Sequence, residues 1–231
     1  MWKVKYLGVL MIVIIFAIII FPIVINRVTK NQIIENNRTF SGSPLSYIKI
    51  NGEVRKVPDF LFYNQDSLMI SNEDYKGKIY VAEFFFTRCP SICPIMNKNM
   101  KRIESEFGKR NDFGIASFTI DPDNDRPHVL KSYAEDYNVF SNNWHFLTGN
   151  KDDIYSLANK GFNIYASVNP QVAGGFEHQG YFALIDKSGY LRSRIDKFGN
   201  PIVYYLGIDQ EDINVQGTDM IIEDIYKLLK E

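Results

Sequence analysis

The chain has 231 residues, 45% of them apolar and 14% aromatic, which is enough for one domain with a sizeable buried core. Four of its 26 basic residues and no acidic one fall in the first 30 positions. The remainder therefore carries 22 basic against 27 acidic residues, a net of −5, and an acidic domain of this kind is excluded as a nucleic-acid binder, which needs a basic face for phosphate.

From Tyr6 to Ile25 the chain runs 20 residues without a charge, with Lys3 and Lys5 before it and Arg27 and Lys30 after it. At ~1.5 Å per residue a helix of that length spans ~30 Å, the thickness of a bilayer hydrocarbon core. A cleavable signal would have a shorter apolar region and a small-residue cleavage site, so residues 1–30 read as a retained membrane anchor. The flanking side chains are balanced, and the free α-amino group then favours an inside amino terminus. The expectation is a single pass through the cell inner membrane with the rest of the chain on the periplasmic side. Residues 31–55, rich in Asn and Ser at their start, read as a polar stalk. Residues 56–231 read as the folded domain.

Within that domain Val57–Phe62 and Leu68–Ile70 suggest a leading hairpin. Ile79–Thr87 is nearly all apolar and reads as a central strand buried on both faces. Ile95–Phe107 has helical periodicity ended near Gly108, and Phe113–Ile120 is a second strand. Arg126–Tyr137 is a helix with Pro127 in its first turn, Trp144–Leu147 a short strand, and Asp152–Lys160 a helix stopped at Gly161. Tyr181–Asp186 and Tyr190–Ile195 form a hairpin across Lys187-Ser188-Gly189. Gly217–Glu231 closes the chain as an amphipathic helix with Met220, Ile221, Ile225, Leu228 and Leu229 on one face. This alternation predicts an α/β, thioredoxin-like fold, with 200–216 as an inserted loop that a partner could touch.

The only two cysteines, Cys89 and Cys93, stand in TRCPSICP, between the most hydrophobic strand and the first long helix. Open α/β sheets gather their sites at such strand-to-helix junctions, and a helix start favours thiolate over thiol. Pro94 fits only a first helical turn, so the helix should begin near Cys93 and leave Cys89–Ile92 as a turn. A purely structural disulfide would close a five-residue loop and add little stability. Two buried, inert thiols are the bland alternative. The spacing has one residue more than the Cys-X-X-Cys of thioredoxins. Where those proteins place a proline facing the cysteines, this chain has Glu177-His178-Gln179-Gly180. Two thiolates and an imidazole make a soft three-coordinate set that suits Cu(I), whereas structural zinc calls for a fourth ligand.

The segment FTRCPSICP resembles the FTxCPxxCP signature of the Sco/SenC family. So do Ile120-Asp121-Pro122 with Asp125 and Pro127, Leu130 and Tyr133, Trp144 with Leu147-Thr148-Gly149, and His178 followed by Leu184-Ile185-Asp186. The resemblance spans Val57 to Leu229 with its pieces in the family's order. It implies a membrane-tethered copper metallochaperone that binds a copper ion through Cys89, Cys93 and His178. Its partner would be the copper-bearing subunit of cytochrome c oxidase, with a thiol reductant or copper donor protein upstream. Gln179 departs from the serine the family often has after the histidine, which leaves the ligands in place but not the hydrogen bonding around them. The enzymatic alternative is a thiol–disulfide oxidoreductase with Cys89 and Cys93 as its redox pair; a thiol peroxidase lacks its threonine-rich approach.

Four further groups read as structural. His128 and His145 fall on a helix and beside Trp144, away from the cysteines. Met96 and Met100 share a helix face with Cys93 and read as core packing. Asp121 and Asp125 read as acids that cap a helix and bend a turn. Gly174-Gly175 reads as a hinge in the loop that carries His178.

Overall fold

The computed structural model describes residues 14–16, 18–20, 22, 45–196, 198–211 and 215–231. Most of the run read as a membrane anchor, and residues 31–44 of the stalk, lie outside the described residues. Residues 14–16, 18–20 and 22 are helical and exposed. Among the described residues no helix is long and apolar enough to cross a membrane.

The folded unit is organised around β6 (Ile79–Phe85) and β7 (Phe113–Thr119), two strands in which every residue is buried. They pair in parallel, and β8 (Trp144–Leu147) extends the parallel set. On the other side of β6 the direction reverses: β11 (Tyr181–Ile185), β12 (Leu191–Ser193) and β1 (Ser46–Tyr47) follow as antiparallel neighbours. The spatial order is β1-β12-β11-β6-β7-β8, with β13 (Tyr205–Leu206) paired to the start of β11. Continuous apolar runs suit β6 and β7 because helices cover both faces of such strands.

Helix α1 (Ile92–Phe107) buries Cys93, Met96, Met100, Ile103 and Phe107, spaced by three and four, and ends at Gly108. It starts as expected within a residue of Cys93. Helix α2 (Pro127–Asp136) opens with its proline, and Tyr133 from it stacks on Phe85. Helix α4 (Gly217–Leu228) packs beside α1. On the opposite face of the sheet, Phe84 and Phe118 meet Phe162. Phe118 also meets Phe60 and Phe62 of the leading segment, where β4 (Leu61–Tyr63) pairs with β5 (Met69–Ser71).

Four readings change. The stretch 45–55, counted with the stalk, is built into the fold: β1 joins the main sheet, β2 (Lys49–Ile50) pairs with β3 (Glu53–Val54), and Leu45 and Ile48 are buried. Helix α3 (Lys151–Ser156) does not stop at Gly161; it widens into a π turn over Leu157–Phe162 and ends at Asn163 in the left-handed conformation, φ 54°. The Gly161 carbonyl accepts from Arg55 Nε at 2.7 Å, which fits a turn whose carbonyls are released from the regular ladder. The inserted segment 200–216 is no free loop, since β13 pairs with Tyr181 and Phe182 and Tyr205 is fully buried. His178 lies on a strand, β10 (Phe176–His178), paired antiparallel with β9 (Ala166–Val168).

Candidate functional site

Where β6 ends, Phe86, Thr87 and Arg88 turn the chain towards α1, and two buried carboxylates, Asp125 and Asp121, hold that turn. Asp125 accepts from Thr87 N at 3.0 Å and from Thr87 Oγ1 at 2.5 Å. It accepts as well from Thr119 Oγ1 at 2.5 Å and from Asn124 Nδ2 at 2.7 Å. Asp121 pairs with Arg88 at 2.7 Å. Both acids do bend the turn after β7, because the Asp121 carbonyl accepts from Asn124 and Asp125 N–H groups. Neither caps a helix: α2 begins after Arg126 with no side-chain cap. Their carboxylates instead tie the end of β7 to the cysteine turn.

The turn brings the two sulfurs together at the head of α1. Cys93 is 1% exposed and Cys89 8% exposed, and both are free thiols. Cys93 Sγ lies 3.3 Å from His178 Nε2. The ligand atoms of Cys89, Cys93 and His178 all fall within 4.8 Å of one another. The other ring nitrogen of His178 faces the Gln179 carbonyl at 3.3 Å, and its ring stands edge-on to Phe86 at 5.8 Å. Gln179 does not turn towards the cysteines; its Oε1 accepts from Tyr165 N at 2.9 Å and so braces the β9–β10 hairpin. Gly174 and Gly175 form the tip of that hairpin at φ 89° and 81°, a conformation that side chains resist. A Cβ on Gly174 would come within 2.9 Å of the Phe86 ring, so the tip rests on the cysteine turn. Cys89 and His178 border a cleft of about 210 Å³ with apolar walls from Phe86, Ile92, Val172 and Phe176. A larger groove of about 680 Å³, between Arg55 and Lys160, includes none of the three.

The two thiols are not equivalent. Cys89 is held well below the usual thiol range, chiefly because the Cys93 thiol donates to its sulfur, with His178 contributing, and this outweighs burial. Cys93 is pushed up, first by that same bond, which favours its protonated form, and then by burial. The pair therefore offers one thiolate, at the more exposed sulfur, and one proton held beneath it.

One buried acid near this site was not among the sequence candidates. Glu83, fully buried in β6, accepts from Ser117 Oγ at 2.7 Å, and Ser117 in turn accepts from Trp144 Nε1 at 3.0 Å. Its other oxygen has no partner among the described residues. Burial raises its carboxyl to about 7, against the Ser117 bond, and its charge opposes ionisation of Cys93. The signal was a lone acid in an otherwise apolar strand. The remaining candidates fall as read: Met96 and Met100 are fully buried core residues, His128 is exposed, and His145 faces Asn64 Nδ2 at 3.3 Å with its pKa lowered, chiefly by burial.

The donor set fits a soft metal ion. Bonds of roughly 2.0–2.3 Å place the ligands of a trigonal ion about 3.5–4 Å apart, within the spread these three atoms already show. Two sulfurs and one imidazole nitrogen, with no carboxylate among them, match copper better than a hard cation.

A parallel core with an antiparallel flank, and a cysteine pair where the central strand meets its helix, define a thioredoxin-like protein with a histidine added to its dithiol. The chain belongs to the SCO1/SenC family, whose model matches residues 49–210. It is 37% identical over 136 residues to the SCO1 protein homolog of Bacillus subtilis (strain 168), covering 58% of this chain and 70% of that protein. Among solved structures, BsSco is described as a cytochrome c oxidase assembly protein with a disulfide switch. It matches with a TM-score of 0.61 at 32% identity, over 75% of this chain and 93% of that one. Yeast Sco1 with copper bound shares the fold at a TM-score of 0.54 and 22% identity, over 76% and 90% of the two chains.

Proposed function

We propose that this chain is a membrane-tethered copper metallochaperone that binds one copper ion through Cys89, Cys93 and His178 and passes it to the copper-bearing subunit of cytochrome c oxidase. The observation that carries this reading is the convergence of the three soft donors within 4.8 Å, with both cysteines free. The family supports it, as do the oxidase assembly role of BsSco and the copper in yeast Sco1. The anchor rests on the uncharged run Tyr6–Ile25, and the orientation on the free α-amino group, since the flanking side chains are balanced. Handing a metal on by ligand exchange needs one donor that an acceptor can reach, and Cys89 and His178 are more exposed than Cys93.

The inequality of the thiols favours a second activity on the same pair, reduction of the acceptor's disulfide before metal transfer. The Cys89 thiolate would attack one acceptor sulfur and release the other as a thiolate. Cys93, on losing its proton, would then attack Cys89 Sγ, leaving a Cys89–Cys93 disulfide and a fully reduced acceptor. His178 discriminates the two activities. With His178→Ala, copper affinity under chelator competition should fall and oxidase metallation should stop, while turnover of a disulfide substrate stays near wild type. Intact copper affinity with collapsed reductase activity would instead make the protein an oxidoreductase whose histidine tunes a thiolate.

A further inference from the structure

His178 ends β10, and among the described residues β10 pairs only with β9, outside the main sheet. Its distance from α1 is set on one side by the contacts of Phe176 and His178 with Phe86 and on the other by the residues beyond it in the chain. Two residues on, the Gly180 carbonyl accepts from Gly207 N at 2.8 Å. The Gly207 carbonyl in turn accepts from Asn99 Nδ2 at 3.0 Å, and the same amide nitrogen reaches Asp209 Oδ1 at 2.9 Å. Asn99 lies in α1, six residues after Cys93, and is 1% exposed. Gly180 is also enclosed sterically, since a Cβ there would meet Ile208 at 3.4 Å and Ile92 at 3.6 Å. A closed circuit results: Cys93 through about 1.7 turns of helix to Asn99, across Gly207 to Gly180, and back along two residues to His178. An amide is costly to bury in a helix unless both partners are supplied, and here they are supplied by the segment just beyond β13.

We propose that Asn99 is a positioning residue for copper binding, setting the reach of His178 towards the cysteine pair by anchoring Gly207 and, through it, Gly180. The proposal rests on the copper reading above and gives the inserted segment a role within this chain. Groups that orient a ligand from behind typically govern metal affinity by about 10–100-fold.

The test uses the reduced full chain as wild type, Asn99→Leu, Asp209→Ala and His178→Ala, with each of the first two substitutions also made in the His178→Ala background. Cu(I) affinity is read by competition with bathocuproine disulfonate, and the Cys89–Cys93 midpoint potential in a glutathione series. Asn99→Leu should weaken copper by about 10–100-fold. Asp209→Ala, which keeps the Gly207 bond, should weaken it by less. Neither should weaken it further once His178 is gone, as a double-mutant cycle requires of residues acting through one another. The dithiol potential should move by no more than it does in His178→Ala, because the cysteine turn is held by Asp125 and the circuit reaches the thiols only through His178. Wild-type affinity in Asn99→Leu, or a loss that persists in full without His178, overturns the proposal. If Asn99→Leu fails to fold, the exposed Asp209 carries the same cycle, and unchanged affinity in Asp209→Ala overturns it. A wild-type chain that binds no copper removes the copper reading and this inference together. Copper bound by the wild type and by Asn99→Leu alike removes this inference alone.

Discussion

Replacing Glu83 by Gln tests whether a carboxyl is truly enclosed beneath the cysteine site. Glu83 is 0% exposed in the central strand, and burial lifts its pKa from 4.5 to about 7. Between those values the folded chain holds a proton that the unfolded chain has released. Stability linked to this group is therefore fully present below pH 4.5, declines as pH rises, and is gone above pH 7. At 1.36 kcal/mol per pKa unit the difference amounts to about 3 kcal/mol. Gln keeps the shape and can still face Ser117, but it does not titrate. The two chains should match near pH 4, and Glu83→Gln should be ahead by about 3 kcal/mol at pH 8. The assay is urea unfolding of the reduced, metal-free proteins from pH 4 to 8 at constant slope, where the comparison cancels every other titrating group. Parallel stability curves, with no gap opening between pH 4.5 and 7, would refute the reasoning. The same charge opposes ionisation of Cys93, so the variant should also alkylate faster at that sulfur at pH 8.

Asp125→Ala removes the acceptor that Thr87, Thr119 and Asn124 share, and should cost roughly 3–5 kcal/mol in urea unfolding, since bonds to a charged group contribute about 1.5–3 kcal/mol each and do not add fully. Gly217→Ala would place a Cβ 2.1 Å from the Leu206 carbonyl oxygen, where no side chain can yield. The loss should be about 2 kcal/mol or more, and wild-type thermal stability would contradict it. In the reduced, metal-free chain at pH 6, iodoacetamide should modify Cys89 well before Cys93, as peptide mapping of the alkylated sites can show.

Much of the fold was legible because the central elements obey simple periods. The readings Ile79–Thr87, Phe113–Ile120 and Ile95–Phe107 come within three residues of the observed strands Ile79–Phe85 and Phe113–Thr119 and helix Ile92–Phe107. What escaped has physical reasons. A strand of two residues such as Tyr205–Leu206 has no period to read, and its pairing depends on Tyr181 and Phe182, far away in sequence. Gly161 carried the sign of a helix end, but its carbonyl is taken by Arg55, and the chain turns on to Asn163. The three donors could be named from the sequence and its resemblance. The clamp at Asp125 and the link from Asn99 to Gly207 could not, because both join residues more than 30 positions apart. Glu83 was visible as an odd residue, but only the tertiary structure places its charge near Cys93.

The central claim, that Cys89, Cys93 and His178 together form a copper site, is tested most directly by copper bound per reduced chain under a competing chelator. Wild type should hold one copper ion per chain, and Cys89→Ser and Cys93→Ser should each lose tight binding, because one thiolate and an imidazole cannot enclose Cu(I) as three donors can. Unchanged stoichiometry and affinity in both serine variants would contradict the account.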